Sequence, residues 1–67
     1  MRVTSVENIN IDNAPVTDQG KRVYRALLST GARTTEELVP HVGMSEALVD
    51  LMLAHLMRHD VIKVKVR

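Results

Sequence analysis

The stretch "TTEELVPHVGMSEALVDLMLAHLMRHD", residues 34–60, carries the signals of two consecutive helices joined by a tight turn. Thr34 and Glu37 are three residues apart, the spacing of a capping box in which each side chain accepts a bond from the other residue's backbone N–H. Gly43 can adopt the left-handed conformation that a tight turn needs, and Ser45 is a good N-cap. These residues predict a helix, a glycine turn and a second helix.

The two helices are predicted to differ in length. Pro40 lacks a backbone N–H and disfavours the α conformation at Val39, so the helix that contains it should be short or displaced. The following helix should run from about Glu46 to about His59, because Asp60 tolerates the turn that ends it. Helical spacing predicts that its inward-facing residues are Val49, Leu53 and Leu56.

A further helix is predicted upstream, in "QGKRVYRALLST", residues 19–30. Thr17 or Asp18 is its candidate N-cap, and Gly31 is its candidate stop. Apolar residues recur in this segment at helical spacing, and its basic residues lie elsewhere on the helix surface. This pattern is typical of an amphipathic helix that packs one face on a core.

Extended segments are predicted at both ends of the chain. The C-terminal "VIKVKVR", residues 61–67, alternates between apolar and basic residues, which predicts a strand. One face should carry Ile62, Val64 and Val66, and the other should carry Lys63, Lys65 and Arg67. Residues 1–16 are polar and β-branched, and the alternation of "NINID" places Ile9 and Ile11 on one side. We expect an extended N-terminal arm or a short strand there.

The 67 residues make one small domain with a marginal core, since a domain of this size buries only about 60% of the surface its unfolded chain exposes. The chain has no cysteine to form a disulfide, so oligomerisation is the expected supplement to its stability. It has no apolar run long enough to span a bilayer and no apolar segment typical of a signal peptide. We therefore expect a cytoplasmic protein with no membrane partner.

Residues 34–64 resemble the winged helix-turn-helix family, and the resemblance extends over about residues 17–66 when the upstream helix is included. The residues that carry it are Leu38, Val42, Gly43, Met44, Ser45, Val49, Leu53, Leu56 and Ile62. The resemblance implies a mainly α fold with a small β-ribbon, in which three helices are followed by a short or reduced wing. It divides the chain into an arm, residues 1–16, and a winged helix-turn-helix domain, residues 17–67.

The chain departs from the family pattern in three places. Asp60 stands where the family usually has glycine, and Val39 and Pro40 stand where it usually has a small residue and a helix former. The segment after Asp60 has room for one strand of a wing and not for two. The alternation around Ile9 and Ile11 could supply the missing strand partner; alternatively, the fold is a reduced winged helix with no wing.

The resemblance implies that the third helix would enter a DNA groove, but its predicted outward positions have no basic residue. Those positions are Glu46, Ala47, Leu48, Asp50, Leu51 and Ala54, with Met52 at the margin. Residues 34–57 contain four acidic residues and no Lys or Arg, a charge of about −4 that DNA phosphates would repel. If double-stranded DNA is bound, we expect backbone contacts from the basic residues elsewhere, which are Lys21, Arg22, Arg25, Arg33, Arg58, Lys63, Lys65 and Arg67.

The third helix also carries a second apolar stripe beside its core stripe, at spacings of 0, 3, 4 and 7 residues. The stripe consists of Leu48, Leu51, Met52 and His55. A helix that is apolar nearly all round is ordinarily buried on two sides, which predicts a homodimer or a protein partner on this helix. In the alternative interpretation the helical register is off by one position, and the stripe is core that the N-terminal arm covers.

No pattern in the chain predicts catalysis, a cofactor or a metal site. His55 and His59 are four residues apart and His41 is nearby, but no further ligand accompanies them, and histidines at a helix C-terminus favour the helix dipole. We find no nucleophile elbow and no phosphate-binding glycine loop, and we expect no enzyme. The resulting hypothesis is a small DNA-associated, dimeric transcription regulator. The alternative is a winged-helix protein-interaction module that does not bind DNA.

Overall fold

The computed structural model describes residues 1–65, and the predictions made for Val66 and Arg67 lie outside the described residues. Within this range the chain is mainly helical with a small antiparallel sheet, as predicted. The elements in chain order are β1 (Arg2–Val6), α1 (Asp18–Thr30), α2 (Thr35–Val42), α3 (Glu46–Arg58) and β2 (Ile62–Lys65), with one turn of 3-10 helix at Ile11–Asn13 before α1.

The predicted ends of α1 are confirmed. The Thr17 side chain caps the helix by accepting a bond from the backbone N–H of Gly20, at 3.1 Å. At the other end Gly31 takes a left-handed conformation with φ of 73°, and its N–H donates to the carbonyl of Leu27. The two ends of α1 are therefore set by residues next to the helix in sequence, the N-cap Thr17 and the C-cap Gly31.

The capping box of α2 is present in both directions. The Thr34 hydroxyl accepts a bond from the N–H of Glu37 at 3.2 Å, and the Glu37 carboxylate accepts one from the N–H of Thr34 at 3.1 Å. Pro40 lies inside this eight-residue helix and does not end it, since α2 continues to Val42. The proline ring removes the bond to the Glu36 carbonyl, and because both side chains are exposed, water can bond to that carbonyl instead.

The turn into α3 and the turn out of it have the predicted conformations. Gly43 is left-handed with φ of 66°, and the Ser45 hydroxyl caps α3 by accepting a bond from the N–H of Leu48 at 3.2 Å. After α3, Asp60 also has a positive φ of 59°. Asp tolerates this conformation better than most residues that carry a Cβ, so the departure from glycine at this position is accommodated.

Strand β2 pairs with β1, which lies closer to the N-terminus than we predicted. The antiparallel partners are Arg2 with Lys65, Val3 with Val64, Ser5 with Lys63 and Val6 with Ile62, with an irregularity between Val3 and Ser5. The other edge of β1 meets the connection between α1 and α2, where the N–H of Val3 donates to the Arg33 carbonyl at 2.7 Å. A strand from the N-terminus therefore completes the ribbon.

The prediction that Ile9 and Ile11 share one face of a strand is wrong. The strand β1 ends at Val6, and beyond it the Tyr24 hydroxyl donates to the Glu7 carbonyl at 2.6 Å and accepts from the N–H of Ile9 at 3.1 Å. Ile11 is buried, whereas Ile9 remains 42% exposed. A side-chain contact from α1 thus overrides the local alternation.

All five elements and the N-terminal segment contribute to one core. The fully buried side chains at its centre come from the three helices and are Val23, Tyr24, Leu27, Leu38, Val49, Leu53 and Leu56. Val3, Ile11 and Val16 from the first sixteen residues belong to the same cluster. None of the helices in residues 1–65 is both long enough and apolar enough to cross a membrane.

Candidate interaction surfaces

The described part of the chain has no pocket, and its remaining candidate sites are two outer surfaces. One is the outward side of the β1–β2 ribbon, which we call the ribbon face and which consists of Arg2, Ser5, Lys63 and Lys65. The other is the outward side of α3, which we call the α3 outer face and which consists of Ala47, Leu51, Ala54 and Arg58.

The ribbon face follows from the pairing of β1 with β2. Paired residues of an antiparallel ladder project to the same side of the sheet, so Arg2 lies beside Lys65 and Ser5 beside Lys63. All four are exposed, whereas the apolar residues of the two strands, Val3, Val6, Ile62 and Val64, are buried or half-buried. The face therefore has two cations directly opposite each other, Arg2 and Lys65, and a third cation, Lys63, in the next pair on the same face. Like charges directly opposite each other destabilise a ribbon.

The three cations of the ribbon face have no carboxylate partner within residues 1–65, where Arg25 with Asp12 is the one salt bridge. Arg2 acts electrostatically on Glu37, whose pKa is lowered chiefly because its carboxylate accepts a bond from the backbone N–H of Arg33, at 3.1 Å. The bonds from Thr34 and the charge of Arg2 act in the same direction. The ribbon face is thus a cationic surface with an ionised carboxylate at its border.

Arg2 is a member of this surface that we did not predict from the sequence. Strict alternation in "RVTSV" would put Val3 and Val6 on opposite sides of a strand. The irregularity between Val3 and Ser5 brings both valines to the inner side, where Val3 is buried and Val6 half-buried. The strand therefore lacks a period-two signal, and only its pairing with β2 identifies Arg2 as a neighbour of Lys65.

The basic residues of α1 are grouped differently from our prediction. Lys21 donates from Nζ to the Asp12 carbonyl at 3.3 Å, and Arg25 forms its salt bridge with the Asp12 carboxylate. Arg22 is exposed. Two of the three cations on this helix therefore contact the N-terminal segment.

Of the other basic residues predicted to contact DNA, Arg33 is bonded within the chain and Arg58 is exposed. The guanidinium of Arg33 donates to the carbonyls of Leu27 and Ala32, at 3.0 and 2.9 Å, and so closes the C-terminal end of α1. Arg58 is exposed at the end of α3. Of the eight predicted nucleic-acid contacts, Lys63 and Lys65 are brought together, and they lie with Arg2; Arg67 lies outside the described residues.

The apolar stripe predicted on α3 is split by the start of α1. Met52 is only 7% exposed and belongs to the core, with its sulfur 3.6 Å from the Thr17 hydroxyl. His55 is half-buried, and its Nε2 accepts a bond from the backbone N–H of Thr17 at 3.2 Å. Gly20 sits so close that a Cβ on it would lie 3.1 Å from the His55 ring. Our prediction of an exposed stripe is therefore wrong for Met52, because α1 packs on that side.

The other two residues of the stripe differ in exposure. Leu48 is half-buried against the core cluster, while Leu51 is 55% exposed. Asp50, which we expected to face outward, is half-buried and accepts a bond from the buried Thr35 hydroxyl of α2. Leu51 is thus the most exposed large apolar residue of α3, ahead of Met57 at 40%, and it is flanked by the exposed Ala47 and the half-buried Ala54.

The histidine pair at the end of α3 makes an edge contact. The His55 and His59 rings lie 4.8 Å apart between centroids at an interplanar angle of 75°. Nε2 of His55 is occupied as the acceptor from Thr17. Among residues 1–65 no three His, Asp or Glu side chains are grouped in a metal-binding arrangement.

Comparison with known proteins finds no similar protein. Neither a protein-family model nor a curated protein nor a solved structure matches the chain.

Proposed function

We propose that the protein is a small DNA-associated regulator of the winged-helix type, and that its ribbon face contacts the phosphate backbone of double-stranded DNA. The observation that carries this proposal is the direct pairing of Arg2 with Lys65, with Lys63 in the next pair on the same face of the ribbon. A binding role, with no catalysis, is part of the proposal.

The chemistry of the ribbon face suits a polyanion. Duplex DNA presents one negative charge per about 1.7 Å of its axis, and Lys and Arg are the usual protein contacts to phosphate. Arg2 and Lys65 repel each other in the free protein, and a phosphate between them would replace that repulsion with attraction to both. Binding therefore removes an unfavourable interaction as well as adding favourable ones.

Recognition of base sequence is not part of this proposal. The exposed side of α3 offers no Lys or Arg until Arg58, and Glu46 at its start is acidic. Side chains that read base edges are chiefly Arg, Lys, Asn and Gln, none of which occupies the centre of this helix. We therefore propose binding that is sensitive to salt and indifferent to sequence.

The winged-helix type is supported by the order and caps of the elements. α2, the left-handed turn at Gly43 and α3 with its Ser45 cap follow one another as the resemblance implies. β2 then follows α3 and pairs with β1, so the ribbon occupies the place in the chain order where a wing would begin. In this reading β1 is the strand that pairs with β2 to form the ribbon.

A salt titration with duplex DNA of arbitrary sequence tests the proposal. Three phosphate contacts give a slope of about −3 for log affinity against log salt concentration. Lys65→Gln should reduce the steepness by about 1 and Lys63→Gln by a similar amount. Arg22→Gln removes the same charge from α1 and is the matched control, for which we expect a smaller change.

Two results would count against the proposal. No detectable binding at low salt would exclude DNA association by this chain. Equal effects of Lys65→Gln and Arg22→Gln would show attraction spread over the whole surface, without a role for the ribbon face in particular.

A second candidate function is a protein-interaction module that uses α3 and does not bind DNA. The observation that favours it is the exposure of Leu51, at 55%, between Ala47 and Ala54. Transferring one leucine side chain from water to a protein interface contributes on the order of 2 kcal/mol. The two candidate functions use different surfaces, so we expect a substitution on the ribbon face to leave binding through α3 unchanged, and the reverse.

A further inference from the structure

The α3 outer face has the same spacing in both directions along the helix. Ala47, Leu51, Ala54 and Arg58 are separated by four, three and four residues, which keeps them in one row on the helix surface. A row with this symmetry superposes on itself when the helix is reversed. We propose that a second copy of the chain packs on this row, with its α3 antiparallel to the first.

Side-chain size supports the antiparallel arrangement. A two-fold axis at the centre of the row places Leu51 of one copy against Ala54 of the second copy, and Ala47 against the aliphatic stem of Arg58. Large residues opposite small ones interdigitate without leaving voids. The stem of an arginine can cover apolar surface while its guanidinium stays in water. Each large side chain in the row therefore meets a small one.

Charge supports the same orientation. Glu46 lies at the start of α3 and Arg58 at its end, about 18 Å apart along the axis, so they cannot meet within one chain. In the antiparallel pair, Glu46 of one copy lies beside Arg58 and His59 of the second copy. A parallel pair would instead place Glu46 against Glu46 and Arg58 against Arg58. The ends of α3 are thus complementary to a reversed copy of themselves.

The available area indicates a weak dimer. A specific interface at the low end of the usual range buries roughly 600 Å² per copy. The chain has 4176 Å² of accessible surface, so such an interface would cover about one seventh of it. The row has four residues, of which Ala54 is half-buried, so the interface is small and we expect association that depends on protein concentration. The inference uses no residue of the ribbon face and is independent of DNA binding.

Sedimentation equilibrium from about 10 μM to 1 mM protein tests the inference, because weak homodimers have dissociation constants in this range. Leu51→Glu should weaken the dimer by at least about tenfold, since it puts a charge at the centre of the row. Leu28→Glu is the matched control, because Leu28 of α1 is similarly exposed, at 50%. We expect the control to dimerise like the wild type, and circular dichroism establishes that both variants fold.

Charge exchange tests the orientation. Glu46→Arg and Arg58→Glu should each weaken the dimer by a few fold to roughly tenfold, because each converts two attractive pairs into repulsive ones. The double variant exchanges the charges and should recover the wild-type affinity. The neutral variants Glu46→Gln and Arg58→Gln perturb the helix ends less and should weaken the dimer more mildly. They replace the charge reversals if the reversals impair folding.

Three outcomes would overturn the inference. The first is a wild type that stays monomeric over the whole concentration range. The second is equal loss of dimer in Leu51→Glu and Leu28→Glu. The third is a double variant that fails to recover the affinity lost in the single reversals, which would exclude the antiparallel contact between the ends of α3.

Discussion

The comparison of Met52→Ala with Leu51→Ala is the sharpest test of how α3 is oriented, because the first of these adjacent residues is buried and the second is exposed. Met52 is 7% exposed and packs beside Thr17, whereas Leu51 is 55% exposed. Truncating a buried methionine removes apolar contacts and leaves a cavity, at a cost of about 2–5 kcal/mol. Truncation of a half-exposed leucine that supports no neighbour should cost roughly 0.5 kcal/mol.

The expected loss at Met52 is large relative to the total. A domain of 67 residues has a free energy of unfolding of about 3–10 kcal/mol. Met52→Ala should therefore leave the protein marginally folded at room temperature, with a clearly lower urea midpoint, while Leu51→Ala should stay close to the wild type. His55 and Thr17 meet next to Met52, so part of the loss would come from loosening the contact between α1 and α3.

Urea unfolding followed by circular dichroism measures both variants. The protein concentration must be low enough for the wild type to be monomeric, because a dimer through Leu51 would add its own stability. If Leu51→Ala costs as much as Met52→Ala under these conditions, the assigned register of α3 is wrong. Equal large losses would favour the alternative in which the whole stripe is core, whereas equal small losses would favour a stripe exposed along its whole length.

Two further predictions concern the loops that hold the ribbon and the N-terminal segment. The pKa of Glu37 lies below its ordinary value of 4.5, so its charge contributes stability above that value, and the contribution is lost as the pH falls through the lowered pKa. Glu37→Gln should therefore be less stable than the wild type at pH 7, with a gap that narrows in acid; a gap that is constant from pH 7 to acid would contradict this, and urea unfolding at several pH values measures it. Tyr24→Phe removes the hydroxyl that bonds Glu7 and Ile9 and should cost about 1 kcal/mol, with faster hydrogen exchange at the Ile9 amide. Unchanged exchange at Ile9 would show that the bend of the N-terminal segment does not depend on Tyr24.

The helices could be predicted from the sequence because their signals are local. A capping side chain and the backbone N–H it accepts from are at most three residues apart, as at Thr17, Thr34 and Ser45. The left-handed stops at Gly31 and Gly43 depend on the absence of a Cβ at one position. Pro40 shows the limit of such signals, since it removes one bond of α2 without ending the helix.

The candidate surfaces could be predicted only in part. The alternation of Lys63 and Lys65 identified one edge of the ribbon face, but Arg2 joins them through a pairing across more than sixty residues. The apolar stripe predicted on α3 was too wide, because Met52 is buried and His55 is half-buried by residues far away in the chain. Contacts of this kind depend on which elements pack together, and a helical period does not contain that information.

The sequence by itself determined where the helices begin and end, the alternation of the C-terminal strand and the lack of Lys and Arg on α3 before Arg58. These properties follow from short-range sterics, capping bonds and residue chemistry, which act within a few positions of the chain. The tertiary structure alone decided that Arg2–Val6 pairs with Ile62–Lys65, that the alternation around Ile9 is overridden, and that Met52 is core. Each of these outcomes requires residues distant in sequence to meet, and the packing of the three helices decides which of them do.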